Sequence, residues 1–219
     1  MQAKAWLGRL QALLTEMAVN RSRRTYLSAA IASVLLPSVA WASQREETLA
    51  DNVASTMRRS VNNVSPARLV FSTPQAGRQW LQAMSAQLSR FIPDARERET
   101  ILINVQYEAK RAGLDVQLIL GLIEVESMFR RYAISGVGAR GLMQVMPFWV
   151  RHIGTTGHNL FEIRTNLRYG CTILRYYIDR ERGDITRALA RYNGSLGRLT
   201  YPNKIYAAMR RNWIYNGAV

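Results

Sequence analysis

Apolar residues along this chain recur at intervals of three and four rather than two, which predicts helices and no strands of ordinary length. Behind Pro74, residues Trp80, Met84 and Leu88, with Leu81 beside them, mark one face of a helix from about Gln75 to Arg90. Pro93-Asp94 introduces a second helix whose buried stripe is Leu102, Val105, Ala109 and Ala112. Glu97 and Glu99 lie early in it and Lys110 and Arg111 late, as the helix dipole favours, and Gly113 ends it. A third helix runs from Val116 to about Phe129 with Asp115 as N-cap. Ile119, Leu122 and Ile123 precede Glu126 by seven, four and three residues, so Glu126 emerges from an apolar stripe. Glu124 lies about 200° around the same helix, near Gln117, Leu120 and Met128, and the two carboxylates cannot work on one bond as a local pair.

Beyond Phe129 three glycines, Gly136, Gly138 and Gly141, punctuate a loop that leads to a Leu142-Met143-Gln144 turn closed by Pro147. A further helix opens at Asn166-Leu167 and runs to Arg182 before Gly183, with Leu167, Cys171, Leu174 and Ile178 on one stripe. Asp184 caps a shorter one through Ala190, and Pro202 begins a last helix carrying Ile205, Tyr206, Met209 and Trp213. The expected fold is mainly α.

The N-terminal part of the polarity profile differs from this core. Arg21, Arg23 and Arg24, the apolar stretch Tyr26 to Leu36, Pro37 and then Ala40-Trp41-Ala42 have the order of a secretory signal, so residues 1–42 read as a signal or targeting region cleaved after Ala42. That implies a periplasmic or exported protein whose membrane contact is transient. An uncleaved anchor is the alternative, although the apolar part is shorter than the ~20 residues of a spanning helix. Upstream, Trp6, Leu7, Leu10, Leu13, Leu14 and Met17 recur at helical spacing, either as a membrane-surface helix or because the reading frame starts too early and Met17 is the initiator. Residues 43–73, rich in Ser, Asn and Arg without sustained periodicity, read as a flexible linker, 74–92 as an accessory amphipathic helix and 93–215 as the main domain.

Composition narrows the chemistry. The 219 residues are 48% hydrophobic, enough for a core, and carry a formal charge of +15, which calls for an anionic partner. The arginines are scattered, with no zinc-finger spacing and no basic-region heptad, so nucleic acid is not expected. Cys171 is the single cysteine, expected buried; no disulfide can form within one chain. His152 and His158, six apart and without an HExxH pattern, give no metal site, and no nucleophile elbow supports a serine or cysteine triad. What remains is Glu126: a carboxyl flanked by aliphatic groups holds its proton more tightly and is suited to donate it near neutral pH. A surface glutamate at the edge of a core stripe is the plainer reading of the same spacing.

Glu126-Ser127-x-Phe129, then Ser135, then Gly138-Ala139-x-Gly141-Leu142-Met143-Gln144-x-Met146-Pro147 resembles the signature of soluble lytic transglycosylases, the goose-lysozyme-like enzymes of bacterial peptidoglycan. Asn166-Leu167 and Tyr192-Asn193-Gly194 resemble that family's later motifs, and the likeness covers roughly Glu97 to Trp213. The resemblance implies a small lysozyme-like helical domain with a cleft, and catalysis by Glu126 without cofactor or metal. It also implies Ser135 at the substrate's acetamido group, Gln144 and Met146 lining the saccharide, and Tyr192 with Asn193 across the cleft, the tyrosine hydroxyl orienting the acid. The chain departs from the family where Phe148 and Trp149 follow Met-Pro, and where Arg191 and Gly194-Ser195 flank Tyr192-Asn193. The implied reaction is non-hydrolytic cleavage between N-acetylmuramic acid and N-acetylglucosamine in glycan strands. A water-using muramidase and a non-catalytic wall-binding module are the alternatives, and a secretion, pilus or flagellar assembly is a further class of partner.

Overall fold

The computed structural model describes residues 44–46, 48–63 and 65–217; the targeting region expected over residues 1–42 lies outside them. Eight helices make up the described chain: α1 (Asp51–Val61), α2 (Pro74–Leu88), α3 (Ala95–Arg111), α4 (Val116–Ser127), α5 (Phe148–Ile153), α6 (Ile163–Arg180), α7 (Ile185–Tyr192) and α8 (Thr200–Asn212). Among the described residues β structure is limited to isolated bridges, Ile134 with Arg140 and Arg140 with Val145, so the mainly α expectation holds. No helix of the described residues is long and apolar enough to cross a membrane.

Side-chain caps set the helix starts. Thr73, Asp94, Asp115 and Asp184 each accept a hydrogen bond from the backbone N–H three residues on, which satisfies a donor that has no partner within the helix. Two helix ends differ from the sequence expectation. α4 stops at Ser127 because Met128 and Phe129 both take positive φ, 51° and 61°, and swing Phe129 into an aromatic cluster with Phe91 and Trp213. α6 begins three residues ahead of Asn166, so that asparagine sits inside the first turn instead of opening it.

The flexible linker expected over residues 43–73 is corrected by α1. Val53, Met57 and Val61 stand four apart and turn one narrow apolar face inward, with Met57 and Val61 buried. Only three apolar residues in eleven carry that face, too few for the period to stand out among polar neighbours. Arg58 Nη2 donates to the His152 carbonyl at 3.1 Å and Arg168 Nη1 to the Val61 carbonyl at 3.3 Å. Further along, Val70 exchanges two hydrogen bonds with the Gln106 side chain, at 2.9 and 2.7 Å, so the segment is bonded onto α3. Phe148 and Trp149, where the chain departs from the family pattern, are buried on α5; Trp149 meets Tyr176 and Tyr177 edge-on. Cys171 is buried on the stripe expected for it, and burial pushes its thiol pKa upward.

Candidate active site

The site grows from α4. Ile119, Leu122 and Ile123 are wholly buried, and one turn further the same face carries Glu126, whose side chain is partly exposed while its carboxyl sits among packed groups. Loss of solvation raises that carboxyl to about 7, against an ordinary value of 4.5, and a hydrogen bond from Tyr201 opposes the rise without cancelling it. The Tyr201 hydroxyl donates to Glu126 Oε1; Oε2 accepts no hydrogen bond among the described residues.

Tyr201 arrives from the first turn of α8, and Gly121 is what lets α8 come so near. A Cβ added there would lie 3.0 Å from the Ile205 carbonyl oxygen and 3.1 Å from the Met209 nitrogen, so the two helices cross with almost no side chain between them. The neighbouring acid is held elsewhere. Glu124 is buried on the far face, accepting from Arg211 Nη2 at 2.9 Å, from Asn212 Nδ2 at 2.8 Å to both oxygens, and from Trp213 Nε1 at 2.7 Å. Glu124 locks the end of α8 to α4, on the face of α4 away from Glu126.

Beside Glu126 the Gly141-to-Val145 turn is latched from three directions. Ser127 Oγ donates to the Leu142 carbonyl at 2.8 Å. Asn166 accepts from Met143 N–H at 2.8 Å and donates to the carbonyls of Arg140 and Leu160, both at 2.8 Å. The Tyr192 hydroxyl donates to the Met143 carbonyl at 2.8 Å. Gly141 has φ +76°, and a Cβ there would stand 2.3 Å from Asn166 Nδ2 and 2.5 Å from the Leu160 carbonyl, which leaves room for glycine alone. The turn is therefore a rigid wall.

These contacts locate the residues singled out by the sequence. Tyr192 is buried, and its hydroxyl pKa is raised first by burial and then by the nearby Glu126 carboxylate, so the two groups are neighbours. The hydroxyl bound to the acid is nevertheless Tyr201's, a correction to the orienting role expected of Tyr192, whose own hydroxyl is committed to Met143. Gln144, at φ +48°, donates from Nε2 to the carbonyls of Ala133 and Gly141 at 3.2 and 3.1 Å and so knits the glycine loop to the turn. Ser135 Oγ accepts from Ala139 N–H at 3.0 Å and closes the loop tip. Met146, partly buried, offers its N–H to Gln44 Oε1 at 3.4 Å, and Asn193 caps the end of α7.

Two participants were not visible in the sequence. Tyr201 precedes Pro202 at an ordinary helix start, and nothing local marks it as the partner of a residue on α4. Gln44 comes from the stretch expected to be a linker; it is buried, and two residues on Glu46 Oε1 meets His152 Nε2 at 2.6 Å. His158 Nδ1 is bonded to the Tyr169 hydroxyl at 2.7 Å. Among the described residues no three His, Cys, Asp or Glu side chains gather as a metal site would need.

Comparison with known proteins bears on the same stretch. The family model described as the transglycosylase SLT domain matches residues 103–213. A transglycosylase of Enterobacteria phage PRD1 is 35% identical over 100 residues, 42% of this chain and 37% of the relative. A membrane-bound lytic murein transglycosylase C of Mannheimia succiniciproducens is 31% identical over 125 residues, 53% of this chain and 33% of the relative. Among solved structures, an inactive mutant of lytic transglycosylase Slt from Pseudomonas aeruginosa aligns with TM-score 0.41 and 24% identity over 72% of this chain and 32% of that one. The chain spans about a third of the length of these proteins.

Proposed function

The chain belongs to the transglycosylase SLT domain family, and from that premise we propose that it is a peptidoglycan lytic transglycosylase, with Glu126 serving as acid and then as base. The observation that carries this reading is a single carboxyl, raised to about 7 and anchored through one oxygen by Tyr201, beside a latched turn. Glycosidases of the ordinary kind use two carboxylates, whereas an N-acetyl group of the substrate can stand in for the second.

In the first step protonated Glu126 gives its proton to the oxygen joining N-acetylmuramic acid to N-acetylglucosamine, and that C–O bond breaks as positive charge builds at C1. The sugar's own acetamido oxygen stabilises C1. In the second step the Glu126 carboxylate takes the proton of the muramic C6 hydroxyl as its oxygen bonds to C1, closing a 1,6-anhydro ring. Water is not consumed, and the enzyme ends with the proton it began with. Tyr201 keeps the carboxyl in one orientation through both transfers. Ser135, Gln144, Met146, Tyr192 and Asn193 are assigned to the walls that hold the saccharide, with the Ser135 hydroxyl proton directed at the acetamido region. Glycan strands of peptidoglycan are the partner, and the periplasm or cell exterior is where they are met.

Mass spectrometry of products from isolated sacculi tests this directly. Anhydro ends, lighter by one water than reducing ends, are expected from the wild-type chain, and none from Glu126→Gln, which should still bind glycan strands. Reducing ends would make the protein a muramidase, turnover by Glu126→Gln would remove the acid from its role, and an inert wild-type chain would leave a wall-binding module.

A further inference from the structure

Residues 44–46 run ahead of α1 without regular secondary structure and lie against the end of the latched turn. Arg45 and Glu46 are exposed, whereas Gln44 is only 5% exposed. A carboxamide on an irregular segment ordinarily stays in water, so its burial calls for a cause. Gln44 Oε1 accepts from the Met146 N–H at 3.4 Å, and the carboxamide lies against the Tyr192 hydroxyl, itself a neighbour of the Glu126 carboxylate. Gln44 therefore stands beside Met146 and Tyr192, both assigned to the walls that hold the saccharide, and one group away from the acid.

Its seat is a poor one. Gln44 Nε2 is buried with no hydrogen-bond partner among the described residues, and 3.4 Å is well beyond the usual roughly 2.9 Å of such a bond. An unmet buried donor opposes the docked position. What holds the segment is the clasp two residues on, where Glu46 Oε1 meets His152 Nε2 at 2.6 Å and Arg151 Nη2 at 3.7 Å, both on α5. The side chains of Glu46, His152 and Arg151 are 52, 35 and 67% exposed, and contacts so open to water hold weakly. A buried side chain on a poor seat under an exposed clasp is suited to leave. Met57 and Val61 of α1 show the opposite arrangement, apolar groups packed into the core.

A carboxamide carries the C=O and N–H of an acetamido group, so Gln44 fills this place with the chemistry of an N-acetylated sugar, and the two cannot share it. We propose that residues 44–46 are an autoinhibitory strap: Gln44 occupies the saccharide wall beside Met146 and Tyr192, the Glu46 clasp on α5 fastens it, and a glycan strand enters only when the strap swings out. The proposal rests on the lytic transglycosylase reading of the same cleft and adds a control to it. A strap closed nine-tenths of the time would weaken apparent glycan affinity about tenfold.

Calorimetry of the intact chain carrying Glu126→Gln, titrated with the tetramer of N-acetylglucosamine, tests it. Gln44→Ala and Glu46→Ala, added singly to that background, should each tighten binding roughly threefold to tenfold. With Glu126 restored, the same two variants should lower KM on sacculi in like proportion and leave kcat unchanged. A side chain that merely packs, or that steadies Tyr192, would on removal leave binding unchanged or weaken it, and either result in either variant overturns the proposal. Absence of saccharide binding by all three proteins overturns it too. Glu46 is exposed, so its variant keeps the test valid should Gln44→Ala disturb the fold. Because binding is read with the acid disabled, reducing ends from the wild-type chain would remove the transglycosylase reading alone, whereas anhydro products alongside unchanged variant affinities would remove the strap alone.

Discussion

At Glu126 two effects pull on one proton. Burial among the side chains of α4 favours the neutral acid, the hydroxyl of Tyr201 favours the carboxylate, and burial wins, leaving the group near 7. The protonated form starts the proposed reaction, so kcat/KM should stay level on the acid side and fall as pH rises through about 7. Removing the opposing hydrogen bond with Tyr201→Phe should move that descending limb to higher pH. It should also lower kcat roughly tenfold to a hundredfold, because the carboxyl loses its fixed orientation. A pH–rate profile of the variant checks both, and a limb that stays in place or shifts toward acid would show that Tyr201 does not act on Glu126. At this scale the apolar setting of Glu126 was legible, since Ile119, Leu122 and Ile123 lie within two turns of it. Its partner was not, because Tyr201 is 75 residues away and nothing near it signals the pairing.

Among the elements, α1 is where the expected and observed chains part most. A polar stretch with apolar residues only every fourth position cannot fold alone at eleven residues, and its helicity comes from burying Met57 and Val61 on the neighbouring helices. Met57→Ala should therefore cost about 2–4 kcal/mol of stability by chemical denaturation, the ordinary penalty for emptying a buried methionine site. A change within experimental error would mean that the segment is loosely held after all. The loop before α5 follows a related logic. Its motif residues were readable as a string, but the structure shows what several of them do: Gly141 yields space to Asn166, and Asn166 grips three backbone groups around Met143. Much of that pattern maintains the wall beside Glu126.

For the whole molecule, the excess of positive charge has a direct consequence. With +15 spread over 219 residues, attraction to an anionic wall should be screened by salt over a Debye length of about 8–10 Å. Retention of the intact chain on isolated sacculi should weaken roughly tenfold between 50 and 300 mM salt, whereas salt-independent retention would assign binding to the cleft alone. The mainly helical fold, the caps at Asp94, Asp115 and Asp184, the opposed faces of Glu124 and Glu126 and the burial of Cys171 were determined by the sequence itself, since each depends on spacing within a single helix or on one backbone turn. Which tyrosine reaches the acid, the enclosure of Glu124 by the end of α8 and the docking of α1 were decided only by the tertiary structure. Those depend on pairs such as Glu124 with Asn212, 88 residues apart, or Val61 with Arg168, 107 apart, and a local pattern carries no information about which distant surface will cover it.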